Sequence, residues 1–118
     1  MEAIYAAATP SLATLEILVH FSVLPRDFIL SEIQIPADVK IELLPDDKLP
    51  PDWDALSPVA ATQQFGRRWA EELRTAVLCV PSSILPIERN YVINPRHFDF
   101  PRITFLPSTP FRFDPRLK

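Results

Sequence analysis

The sequence predicts an α+β domain with a mainly β core and two or three helices, and three observations carry that expectation. Ala76-Val77-Leu78-Cys79-Val80 is a short unbroken apolar run, as in a strand buried on both faces, and Pro81 closes it by removing a ladder donor. Thr9-Pro10 and Ser57-Pro58 each set a capping hydroxyl before a proline suited to the first helical position, and a helical pattern follows both. Fourteen prolines against a single glycine point to short elements joined by stiff turns.

In chain order, Ala3 to Ala7 reads as a strand that begins almost at the first residue. After the Thr9 cap, Ser11 to about Phe21 reads as a helix whose buried side is marked by Leu12, Leu15 and Val19. Phe28 to Ile35 alternates toward its end and stops at Pro36, as a half-exposed strand does, and Val39 to Leu44 is a second, weaker strand. Residues 45–58, dense in proline and carrying Trp53, read as a surface loop or a cover for a site. A second helix is expected from Val59 to about Leu73, with Val59, Thr62, Phe65 and Trp69 along its buried stripe and Arg67, Arg68 and Arg74 outside. Arg102 to Leu106 and Phe111 to Phe113 read as two closing strands.

Composition bounds the function. The chain has 118 residues, 47% of them hydrophobic, enough for one domain over residues 1–118, burying roughly two thirds of its unfolded surface. Its net charge of −3 lacks the basic footprint of a nucleic-acid binder. No run approaches the roughly 18 apolar residues of a membrane span, no signal peptide is visible, and the lone Cys79 suits a reducing cytoplasm. With only Gly66, which lies in a helical pattern, no glycine loop is available to cradle phosphates, so a nucleotide has to be held by side chains. A metal is not expected. The acids Asp46, Asp47, Asp52 and Asp54 lack the order and glycine of an EF-hand, and Cys79, His20 and His97 have no paired ligand spacing.

The chain is organised around Val80 to Phe100, where polar residues fall beside core-forming ones. Ser82 and Ser83 leave the mouth of the buried strand, and Asn90 and Asn94 frame Tyr91-Val92-Ile93. By local chemistry these are either turn residues or a polar site. Glu16 shares a helical face with Leu12, Ala13, Val19 and His20, close to the core boundary. It reads either as a helix glutamate contacting His20 or as a reacting carboxylate. His20 is expected to be a structural residue at the core edge. Ser82, His97 and Asp99 supply the residue types of a hydrolytic triad, but no nucleophile elbow surrounds Ser82.

The wording of several segments resembles the RES domain family. It is carried by Val80-Pro81-Ser82, by Glu88-x-Asn90-Tyr91-x-x-Asn94-Pro95-x-His97-x-Asp99-Phe100, and by the terminal Pro110 to Leu117. Tyr5-Ala6-Ala7, Leu12-Ala13 and Leu15 to His20 resemble the family's middle motif. The resemblance implies an NAD-consuming toxin of a bacterial toxin–antitoxin pair with an ADP-ribosyltransferase-like fold. The toxin would cleave the nicotinamide–ribose bond as a glycohydrolase or phosphorylase, or pass ADP-ribose to a protein. NAD is then a substrate, with no further cofactor. The implied partner is an Xre-type helix-turn-helix antitoxin, and a homo-oligomer is compatible.

The same resemblance implies that Glu16, Ser82 and Tyr5 are the catalytic residues, and that Tyr5, Asn90 and Asn94 contribute to substrate binding. Glu16 would hold the positive charge that develops on the sugar. Tyr5 would stack on nicotinamide or hydrogen-bond the ribose, and Ser82 would orient either the glutamate or the ribose. Asn90 and Asn94 would anchor these groups from behind. One departure stands against these agreements. The family's Arg-Trp-Asn motif precedes the position of Tyr5, and these 118 residues do not contain it. The domain is therefore expected to be N-terminally incomplete and inactive by itself, either because the true start lies upstream or because the chain is a truncated fragment that at most binds antitoxin.

Overall fold

The computed structural model describes residues 2–44 and 60–118, with side chains of the second helix from residue 63 onward. Its centre is a four-stranded sheet in the order β1-β6-β5-β4, built from β1 (Ile4–Ala7), β4 (Ile41–Leu43), β5 (Val77–Pro81) and β6 (Arg89–Ile93). The β1–β6 and β6–β5 pairs are antiparallel, whereas β4 runs parallel to β5, as a connection long enough to hold a helix permits. The expected apolar run is thus the interior strand β5, paired on both sides. Helices α1 (Pro10–Leu18) and α2 (Ala60–Glu71) complete the α+β architecture.

Strand register decides which side chains meet. Ile4, Tyr91, Ile93 and Val77 point to one face, where they pack with Val39, Ala76, Ile103, Ile33, Ile35 and Phe100. The opposite face carries Tyr5, Ala7, Asn90, Val92, Leu78 and Val80. On part of it α2 lays Trp69 and Ala70 over Leu78 and Val92. Trp69 is fully buried and donates its indole N–H to Thr75 Oγ1 at 2.8 Å, so removing it costs about 3–5 kcal/mol. Val59 and the side chain of Thr62, both of the expected stripe, lie outside what is described, as does the loop expected over 45–58.

Thr9 caps α1 as its sequence suggests, accepting from Leu12 N–H at 3.1 Å. The expected buried side is only partly realised. Leu12 and Leu18 are buried, residues 13–17 are half-buried, and Val19 is exposed because it lies past the last helical residue. With residues 13–17 all half-buried, the helix has no single buried stripe. His20 follows in an exposed turn, which corrects its expected place at the core edge.

The expected strand Phe28–Ile35 is also corrected: it is two short strands, β2 (Phe28–Leu30) and β3 (Ile33–Gln34). β2 pairs with β8 (Thr109–Phe111) and β3 with β7 (Thr104–Phe105), both antiparallel. Pro107, which lies between β7 and β8 on the partner segment, has no N–H to give, so the ladder breaks there, whereas Pro110 is accommodated within β8 opposite Ile29. Phe28, Phe111 and Phe113 stack edge to face beneath the ribbon, and Phe21 joins them from the α1 exit.

At the end of α2, Leu73 adopts a left-handed φ of 53°. Its N–H donates to Ala70 O at 3.2 Å and that of Arg74 to Trp69 O at 3.4 Å, a Schellman closure with leucine where glycine is usual. Arg74 then crosses to Glu42 on β4 and lies over the Phe65 ring.

Candidate active site

Glu16, Ser82 and Asn90, from three distant parts of the chain, converge at one end of the sheet. Ser82 leaves β5 with no exposed surface, and its hydroxyl donates to Glu16 Oε1 at 2.8 Å. The same Oε1 accepts from Asn90 Nδ2, also at 2.8 Å. Among the described residues, nothing donates to the second carboxylate oxygen, Oε2. One oxygen is therefore pinned by two donors while the other is uncommitted.

Ser82 has no capacity to spare. Besides donating to Glu16, its Oγ accepts from Ile84 N–H and Leu85 N–H, each at 3.1 Å, which exhausts a hydroxyl. It therefore serves both readings of the sequence, closing the turn after β5 and orienting the glutamate. Asn90 is different. Its Oδ1 is buried and has no hydrogen-bond partner among the described residues. An amide flip would relieve nothing, since it would turn that oxygen toward the Glu16 carboxylate. A buried acceptor left unmet costs about 1–3 kcal/mol, an expense more usual at a working site than in a scaffold.

Tyr5 shares the Asn90 face of the sheet. It pairs with Val92 while Ala7 pairs with Asn90, which makes Tyr5 and Asn90 diagonal neighbours across adjacent strands. Its side chain is 72% exposed and leaves an aromatic surface open. Asn94 lies beyond the other end of β6, only 2% exposed, with both ends of its amide engaged. Its Nδ2 donates to Ala70 O at 3.1 Å and its Oδ1 accepts from Arg96 N–H at 3.0 Å, so it ties the end of α2 to the chain after β6.

The sequence model of the RES domain matches residues 1–114. This chain belongs to the RES domain family. It is 41% identical to "Toxin Res" of Photorhabdus laumondii subsp. laumondii, over 98% of this chain and 75% of the relative. It is 39% identical to "Prs ADP-ribosylating toxin" of a Sphingobium species, over 97% of this chain and 73% of the relative. A further "Toxin Res", from Yersinia enterocolitica, is 40% identical over 98% of this chain and 78% of the relative.

Within this RES domain the remaining candidates fall away from Glu16. His97 is buried past the Asn94 end of β6, its Nδ1 accepting from Asp99 N–H at 3.0 Å and its ring stacked on Phe98. Ser82 lies beyond the opposite end of that strand, about 15 Å of extended chain away, so no triad forms. Cys79 is buried in the sheet opposite Tyr91. The Tyr91 phenol is pushed up by burial, with the Cys79 thiol beside it adding to the rise. Among the described residues no group of three or more His, Cys, Asp or Glu side chains gathers as metal ligands, and no helix is long and apolar enough to cross a membrane.

Sequence reasoning missed one contact at this end of the sheet. Thr9 Oγ1 donates to Glu88 Oε1 at 3.4 Å, so the cap of α1 also touches the turn that carries Ser82. Thr9 was legible only as a cap and Glu88 only as part of the family wording.

Proposed function

We propose that this RES domain is the NAD-cleaving part of a toxin, with Glu16 as the carboxylate that faces the ribose. The observation that supports this most is the asymmetry of that carboxylate, whose Oε1 is fixed by Ser82 and Asn90 while Oε2 is uncommitted among the described residues. In the reaction the bond between the ribose C1′ and the nicotinamide nitrogen breaks. Its electron pair leaves with nicotinamide, and positive charge spreads over C1′ and the ring oxygen of the sugar, as in glycosidase transition states. A carboxylate already oriented stabilises that charge without rearranging when it appears. Oε2 is the atom for this role or for a ribose hydroxyl, and Ser82 and Asn90 act through Glu16. The open ring of Tyr5 suits stacking on nicotinamide.

The acceptor then defines the class. Water gives ADP-ribose, phosphate gives its phosphorylated form, and a protein side chain gives an ADP-ribosylated protein. The second of the relatives named above supports the last reading as the alternative, because its own name describes ADP-ribosylation of Prs. A toxin that consumes NAD acts in the cytoplasm and needs restraint there, which is the place for an Xre-type antitoxin.

Purified protein, both as these 118 residues and extended by any codons in frame upstream, is incubated with NAD, with and without phosphate and cell extract. Release of nicotinamide is expected from the extended form, and product masses assign the acceptor. Intact NAD in every arm contradicts the proposal.

A further inference from the structure

The turn that carries Ser82 touches α1 twice, and the second contact is remote from the reacting carboxylate. Ser82 meets Glu16, while Glu88, at the far end of the turn, meets Thr9 at the helix cap. Thr9 and Glu16 are separated by two turns of α1, about 10 Å along its axis. The turn between the contacts is internally braced. Ser82 N–H donates to Glu88 O at 3.0 Å, Glu88 N–H donates to Leu85 O at 2.8 Å, and the Ser82 hydroxyl receives Ile84 and Leu85. A displacement of Glu88 is thus transmitted to Ser82. On the helix side, Ala8 N–H donates to Arg89 O at 3.1 Å, continuing the β1–β6 ladder to the start of α1.

We propose that Thr9 and Glu88 are positioning residues that set the angle of α1 and thereby the placement of Glu16; this rests on Glu16 being the reacting carboxylate. Thr9 uses its hydroxyl in both senses, accepting from Leu12 N–H and donating its proton to Glu88 Oε1. Glu88 brings negative charge to the N-terminal end of the helix, where exposed N–H groups favour it. Ser82 and Asn90 hold α1 at Glu16, and the Thr9–Glu88 contact adds a hold at its cap end that limits pivoting about that point. The Thr9–Glu88 contact is itself solvent-exposed, so it contributes little to overall stability and its removal separates placement from folding.

The experiment compares Glu88→Ala, Glu88→Gln and Thr9→Asp with the parent protein, in the form that turns NAD over, and follows amide exchange of α1 in parallel. Glu88→Ala is expected to lower kcat about tenfold with KM nearly unchanged, as a small misplacement of a reacting group does. Its Tm should stay within about 2 °C of the parent. Glu88→Gln keeps an acceptor for Thr9 and should recover most of the rate. Thr9→Asp keeps the cap but sets two carboxylates together, and should behave as Glu88→Ala. Amides of residues 12–18 should exchange faster in the two damaging variants while those of β5 do not change. An unaltered kcat in Glu88→Ala, or failure of Gln to rescue, overturns the proposal. If the parent itself leaves NAD intact, the reading of Glu16 fails. The positioning role is then judged by exchange alone, and unchanged α1 protection in Glu88→Ala overturns it.

Discussion

Two asparagines four positions apart, Asn90 within the first residues of strand β6 and Asn94 just past its end, live under opposite conditions. Asn94 is spent inside the protein, with Ala70 and Arg96 satisfying its amide, and His97 beside it is likewise tied to local backbone. Asn90 gives its N–H to a carboxylate and leaves its oxygen unmet, beside a glutamate with one oxygen uncommitted among the described residues. Burial of a polar residue therefore does not by itself mark a site. Incomplete satisfaction is what favours the Asn90 end for the proposed one, because a scaffold gains by closing its hydrogen bonds whereas a site keeps capacity for what it binds.

The largest effect is expected at Glu16. Glu16→Gln keeps the shape and still accepts from Ser82 and Asn90, but it removes the charge, so turnover of NAD is expected to fall at least about a hundredfold, or 2.7 kcal/mol of barrier. The fold should survive, as circular dichroism and the melting curve would show. A folded Glu16→Gln protein with full turnover would take Glu16 out of the reaction.

Ser82→Ala comes next, and it sharpens the contrast because Ser82 belongs to both worlds. Losing the donor to Glu16 should lower turnover about tenfold or more. The orphaned Ile84 and Leu85 N–H groups should cost about 1–2 kcal/mol in a denaturant titration. If the stability loss alone accounts for the missing activity, Ser82 only closes a turn.

The smallest expected effect lies away from both ends of β6. Leu73→Gly relieves a left-handed residue at the α2 terminus and should stabilise the protein by about 1 kcal/mol, raising Tm without altering turnover. No gain would mean that Leu73 packing offsets its backbone strain.

Much of this was legible in the residues. Thr9 announced its cap, Ala76 to Val80 the interior strand, and Trp69 the buried face of α2. Each depends on local chemistry or on a strong period. Phe28 to Ile35 reads as one strand because the proline at the interruption of its ladder, Pro107, sits some 75 residues away. Val19 reads as buried because the period is carried one residue past Leu18, where the helix ends. The family wording brought Glu16, Ser82 and Asn90 to notice, but nothing local distinguished Asn90 from Asn94. That distinction depends on register and on which carbonyls lie opposite, and single-sequence patterns do not encode them.

The most direct measurement sets those two residues side by side: Asn90→Ala and Asn94→Ala, each assayed for NAD turnover per folded molecule and for stability by denaturant titration. Asn94→Ala should cost about 2–3 kcal/mol, since Ala70 O and Arg96 N–H lose their partner in a buried place, and leave turnover per folded molecule unchanged. Asn90→Ala should cost less than about 1 kcal/mol, because it also removes an unsatisfied acceptor, yet reduce turnover about tenfold or more. The reverse pattern, with Asn94→Ala folded but inactive and Asn90→Ala destabilised but fully active, would contradict the division between a working end and a scaffold end of β6.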